Sequence, residues 1–248
     1  TLAGAVFAGL IIGSILWHPL ALFILFFFFN ALALYEFARM FKKQAYPIQT
    51  SSLIMMGSVV YLLIGLYANA YLGWQVLFGF IPLLFILFIS SLFEKAENPF
   101  EILGIKLISI LYISVPFGLF NIIENMGLIG SHQNQPLFLV FFFILVWSSD
   151  TFAYLSGISF GKHRLFERIS PKKSWEGTIG GAICTMIIGY LIGYFSGIFT
   201  PWIWVFISII IVITATFGDL VESLLKRHMK VKDSGHIMPG HGGILDRF

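Results

Sequence analysis

Eight apolar stretches constrain this chain more than any other feature, because each approaches or exceeds the length needed to cross about 30 Å of hydrocarbon as a helix. They run near 2–17, 20–38, 52–71, 74–93, 104–124, 137–160, 176–197 and 201–221. Composition points the same way: 58% of the 248 residues are hydrophobic and 11% are charged, against about 25% charged in a soluble domain. The expected fold is therefore all-α, a polytopic integral membrane protein with about eight transmembrane helices. The chain starts at Thr1 and stops at Phe248 just after a charged motif, so the termini are expected to be trimmed and further helices could precede the first.

The basic residues fall on one side of such a bundle. Arg39, Lys42 and Lys43 follow the second stretch, Lys95 and Lys106 flank the loop after the fourth, and Lys162, Arg164, Arg168, Lys172 and Lys173 fill the loop after the sixth. The other five of the fifteen lie in the tail, and the opposite loops contain none. By the positive-inside rule both ends face the cytoplasm. The net charge of +3 hides this sidedness. The first apolar run lacks the basic flank and small-residue cleavage site of a cleavable signal peptide. Cys184 stands alone inside a helix and reads as packing.

The two halves differ in kind. Residues 1–130 read as an apolar scaffold that a homodimer could use as an interface, whereas 131–248 read as a catalytic region with its site at the cytoplasmic face. The seventh helix carries Gly177, Gly180 and Gly181, then Gly189, Gly193 and Gly197; small residues at such spacing let helices approach closely in lipid.

Ionisable residues in so apolar a chain ask for a function. Asp150 sits about ten residues from the cytoplasmic end of the sixth helix, where a carboxylate is costly unless it meets a polar interior, a cation or a proton. Lys172, Lys173, Ser174 and Glu176 lie where the chain enters the glycine-rich helix, a place where helix-start amides and lysines attract an anion. Asp219 and Glu222 share a face at the end of the eighth helix, followed by Ser223, Lys226 and Arg227; Glu222 and Lys226 also have the spacing of a simple ion pair. The tail adds Lys232, Asp233, His241, Gly242, Gly243, Asp246 and Arg247. Zinc spacing is absent, whereas carboxylates beside phosphate-binding bases suit Mg2+.

The stretch Ser223–Phe248 resembles the signature of phosphatidate cytidylyltransferases, also called CDP-diacylglycerol synthases. Its elements are Ser223, Leu225, Lys226-Arg227, Lys232-Asp233, His241-Gly242-Gly243 and Asp246-Arg247. Three upstream runs also match: Ser149-Asp150-Thr151 with Ala153 and Tyr154, Ser170 to Ser174 with Glu176 and Gly177, and Gly218-Asp219 with Glu222 and Ser223. The family signature closes with a further acid after Arg-Phe; its absence here is attributed to truncation.

The resemblance implies the reaction CTP + phosphatidate → CDP-diacylglycerol + diphosphate with Mg2+, with room for a second cation. The partners are then CTP, phosphatidate and membrane lipid, with no nucleic acid. The implied metal set is Asp219 and Asp246, with Asp150, Glu222 and Asp233 as ligands or orienting groups. Lys172, Lys173, Lys226 and Arg227 would hold the triphosphate or lipid head group, Lys232 and Arg247 the remaining phosphates, and the amides of the Gly242-Gly243 turn an oxyanion. Ser174, Ser223 and His241 complete the implied substrate set, and a bacterial inner membrane is the implied location. Two other readings stay open: a CTP-dependent polyprenol or phytol kinase, which would transfer the γ-phosphoryl, and an ion-coupled transporter built on Asp150 and Asp219.

Overall fold

A computed structural model describes residues 2–94, 96–125, 135–235 and 242–248. The chain forms two compact units, Thr1–Gln135 with Val231–Phe248, and Pro136–Lys230. Val231–Phe248, at the far end of the chain, thus packs within the first unit.

The first unit contains α1 (Leu2–Trp17), α2 (Pro19–Lys43), α3 (Thr50–Ala68), α4 (Phe80–Leu92), α5 (Pro99–Ser109) and α6 (Val115–Asn125). A 3-10 turn, Trp74–Gly79, leads into α4, and a π-helical turn, Ile110–Ser114, joins α5 to α6 as one span. Pro19 starts α2 where its missing N–H is not needed, and the His18 Nδ1 caps that end by accepting from the Leu20 amide at 3.1 Å. The helix outlasts its apolar stretch and ends at Lys43, where Lys42 and Lys43 complement the C-terminal dipole.

Met56, Val60 and Ile64 of α3 pack against Leu83 and Leu87 of α4, Leu103 of α5 and Ile110. The Tyr61 hydroxyl donates to the Phe23 carbonyl at 2.7 Å and accepts from Asn121 Nδ2 at 3.0 Å, joining α2, α3 and α6. Lys106 departs from its expected role as a loop-flanking anchor. Because α5 starts at Pro99, five residues before the apolar run, Lys106 lies inside the helix and is fully buried. It pairs with Glu94 and donates to Ser90 Oγ at 3.3 Å, and this local compensation makes burial of the charge tolerable.

The second unit contains α7 (Gln135–Phe160), strands β1 (Arg164–Phe166) and β2 (Ser170–Ser174), α8 (Trp175–Ser196) and α9 (Pro201–His228). The basic loop after α7 thus folds into an antiparallel hairpin pairing Arg164 with Ser174 and Phe166 with Ser170. Small residues set the helix spacing: a Cβ added at Gly181 would lie within about 3.0 Å of the Ala153 backbone on α7, and one at Gly193 would meet the Pro201 Cα of α9 at 2.6 Å. Leu145, Trp204 and Ile211 form the buried centre. Gly197, at φ 64°, ends α8 in the left-handed conformation that glycine adopts without strain.

Among the described residues seven spans are long and apolar enough to cross a membrane, and α1 is a shorter apolar helix. The protein is an all-α polytopic membrane protein, and the eight apolar stretches of the sequence correspond one to one with its helical spans.

Candidate active site

In the second unit the hairpin and α9 bring acids and bases together. Lys173 on β2 pairs with Asp219 on α9, with the Asp219 side chain still 46% exposed. One turn further along α9, Lys226 Nζ donates to Glu222 Oε1 at 2.7 Å, and both of these side chains are largely buried. The helix continues past the apolar stretch to His228, so Glu222, Ser223, Lys226 and Arg227 all ride on α9 and are presented by regular helical geometry. Lys172, next to Lys173 on the strand, is exposed, as is Arg227.

The start of α8 is occupied by the protein's own groups. The Trp175 amide donates to the His163 carbonyl at 3.0 Å, and the Gly177 amide donates to Ser174 Oγ at 3.1 Å. Ser174 is therefore an N-cap, buried at 4% exposure. Glu176 ties down the strand entry: its carboxylate accepts from the Lys162 and His163 amides at 3.1 and 3.2 Å, and meets His163 Nδ1 at 2.6 Å. The anion attraction expected of these amides is thus spent internally. What remains for a ligand here are the lysine side chains. Asp150 is exposed on α7, where Ser148 and Thr151 line a shallow recess of about 230 Å³ with Trp147.

In the first unit the tail folds around two carboxylates. Asp246 Oδ2 accepts from the Gly243 amide at 2.8 Å and from the Ser234 amide and hydroxyl at 3.0 and 2.9 Å. Glu36, on α2, accepts from Ser234 Oγ, the Ile244 amide and the Leu245 amide at 3.1, 3.1 and 3.0 Å. The amides of this turn do face anions, as the glycines suggested, but the anions belong to the protein. Gly242, at φ 83°, makes the turn possible. Lys232, Asp233 and Arg247 are exposed, and His241 lies outside the described residues.

Glu36 was missed by reading the sequence. Its one visible signal is an acid inside the second apolar stretch, and its partners come from more than 190 positions further along the chain. Among the described residues no three His, Cys, Asp or Glu side chains gather into a metal cage. The carboxylates present suit Mg2+, which takes one or two carboxylates together with substrate oxygens and water. Asp219, half exposed and already beside a cation, has the chemistry for this role.

Comparison with known proteins decides the assignment, since residues 1–248 match the cytidylyltransferase family throughout. The chain belongs to that family. It is 34% identical over 243 residues to the phosphatidate cytidylyltransferase of Staphylococcus aureus (strain COL), an alignment covering 96% of this chain and 90% of that protein. It is 40% identical over 169 residues to the phosphatidate cytidylyltransferase of Staphylococcus haemolyticus, covering 68% of this chain and 62% of the relative. For this cytidylyltransferase-family chain, the bases on β2 and α9 become candidates for binding nucleotide and lipid phosphates.

Proposed function

We propose that this chain is a phosphatidate cytidylyltransferase. The observation that carries the proposal is the family match over residues 1–248; the Lys173–Asp219 and Glu222–Lys226 pairs at the end of an apolar helix supply chemistry suited to it. A phosphate oxygen of phosphatidate attacks the α-phosphorus of CTP, the new P–O bond forms, and the α–β bridging bond breaks to release diphosphate. The phosphomonoester is already a nucleophile, so no protein base has to remove a proton. Positioning and charge neutralisation remain as the protein's tasks.

In this reading Lys173 and Lys226 exchange their carboxylate partners for phosphate oxygens, while Lys172 and Arg227 add positive charge beside them. Asp219 would hold Mg2+, with Glu222 and Asp150 as further ligands or orienting groups in the same unit. When bound, Mg2+ supplies Lewis-acid neutralisation of the phosphate oxygens. In the other unit Asp246 and Asp233 are proposed for the metal, and Lys232, His241 and Arg247 for phosphate, on the signature alone. The first helices are proposed to support a homodimer. The reaction would face the cytoplasm at a bacterial inner membrane, where the lysine-rich loops lie by the positive-inside rule.

The test uses purified, detergent-solubilised protein with phosphatidate, Mg2+ and CTP labelled separately at the α- and γ-phosphates. The proposal expects the α-label in the lipid and the γ-label in diphosphate. Transfer of the γ-label to a polyprenol, with phosphatidate inert, would replace it with a lipid kinase. Ion uptake by sealed vesicles without nucleotide consumption would replace it with a transporter.

A further inference from the structure

We infer that Glu36 is a positioning residue for the cytidylyl transfer: from its buried place on α2 it fixes the loop that carries Asp246 and Arg247. The inference rests on the function proposed above.

Glu36 is 1% exposed, and a carboxyl group removed from solvent must be met by hydrogen-bond partners. Its three donors, Ser234 Oγ, Ile244 N and Leu245 N, are 198 to 209 residues away in the chain and all belong to the tail. Two glycines show how close the approach is. A Cβ added at Gly235 or Gly243 would collide with the Glu36 carboxylate oxygens. A side chain at either position would therefore force the Glu36 carboxylate or the loop to shift and break their contact.

Ser234 couples this anchor to Asp246. Its hydroxyl lies 3.1 Å from Glu36 Oε2 and 2.9 Å from Asp246 Oδ2, and its amide donates to Asp246 Oδ2 as well. A hydroxyl has one proton to donate, so the two acids share it, and displacement of one moves the group that holds the other. Asp246 sits one residue beyond Leu245, whose amide Glu36 holds. The geometry of Asp246 and Arg247 is thus set by a carboxylate that lies outside the tail signature.

The experiment compares wild type, Glu36→Gln and Ser234→Ala as full chains in detergent. Readouts are amide hydrogen exchange at Ile244 and Leu245, thermal unfolding, and kcat and KM for CTP with phosphatidate. Glutamine keeps the size of Glu36 but offers one acceptor and turns an NH2 toward a backbone donor. The expected result is exchange at Ile244 and Leu245 faster by about tenfold or more with the midpoint of unfolding nearly unchanged. The expected kinetic result is a kcat lower by about tenfold, with KM for CTP within about threefold of wild type. Ser234→Ala, which leaves α2 untouched, should give a smaller change in the same direction.

Wild-type exchange or wild-type kcat in Glu36→Gln would overturn the inference. Should Glu36→Gln fail to fold, Ser234→Ala decides: unchanged exchange and kcat there would overturn it equally. Failure of the underlying function looks different. Wild type would then release no diphosphate from CTP and phosphatidate, while Glu36→Gln would still free the Ile244 and Leu245 amides.

Discussion

Asp219 and Lys173 hold each other across β2 and α9, and the pairing makes their functional assignment testable one residue at a time. Asp219→Asn keeps the shape and removes the charge, so turnover is expected to fall by about 100-fold or more with the unfolding midpoint nearly unchanged, because the group acts on reacting charge. Diphosphate release from γ-labelled CTP checks this, and a wild-type rate would remove Asp219 from the site. Lys106 should behave in the opposite way. It is fully buried against Glu94, so Lys106→Met strands a carboxylate and should cost about 3–5 kcal/mol of stability. Adding Glu94→Gln should recover much of that loss in a thermal unfolding series. Both lysines are visible in the sequence as charges in an apolar chain, and the sequence reading assigned Lys173 to the candidate site and Lys106 to the flank of a loop. The difference is local: the reach of α5 back to Pro99 decides whether Lys106 is buried. Glu36 was not legible because an acid reveals its partners only when residues about two hundred positions apart are brought together.

At the scale of elements, the glycines of α8 distinguish packing from tolerance. Gly181 faces the Ala153 backbone, which no side-chain rotation can relieve. Gly181→Val should therefore lower stability by about 1–3 kcal/mol through overpacking. Gly104 in α5 is the control, since an added Cβ there meets nothing within 4 Å. Gly104→Ala should be neutral or stabilising by up to about 1 kcal/mol, and equal losses in the two variants would show that α8 does not rely on close approach. The small-residue spacing was readable in the sequence because its period is helical. The β1–β2 hairpin was not, since a lysine- and arginine-rich loop looks the same to composition whether it pairs or not. Helix ends were also obscured: α2 and α9 run into charged segments where apolar periodicity stops but helical hydrogen bonding continues.

For the molecule as a whole, the clustering of lysine and arginine predicts which loops face which compartment. In a Cys184→Ser background, Thr200→Cys places a thiol just before α9 and His163→Cys places one at the exposed entry to the hairpin. An impermeant maleimide added to intact cells should label the first and not the second, and permeabilised cells should label both. Labelling of the second alone would reverse the orientation. The number of spans was legible because hydrocarbon thickness fixes their length; the return of Val231–Phe248 to the first unit was not, because no local pattern encodes it. That return also imposes an order on biogenesis. Glu36 leaves the ribosome 198 residues ahead of Ser234, a lag of roughly 10–40 s at ordinary elongation speeds. Through that interval the nascent α2 carries an acid without its final donors, so the first helices enter the bilayer as an unfinished unit that only the later synthesis of Ser234 to Leu245 can complete.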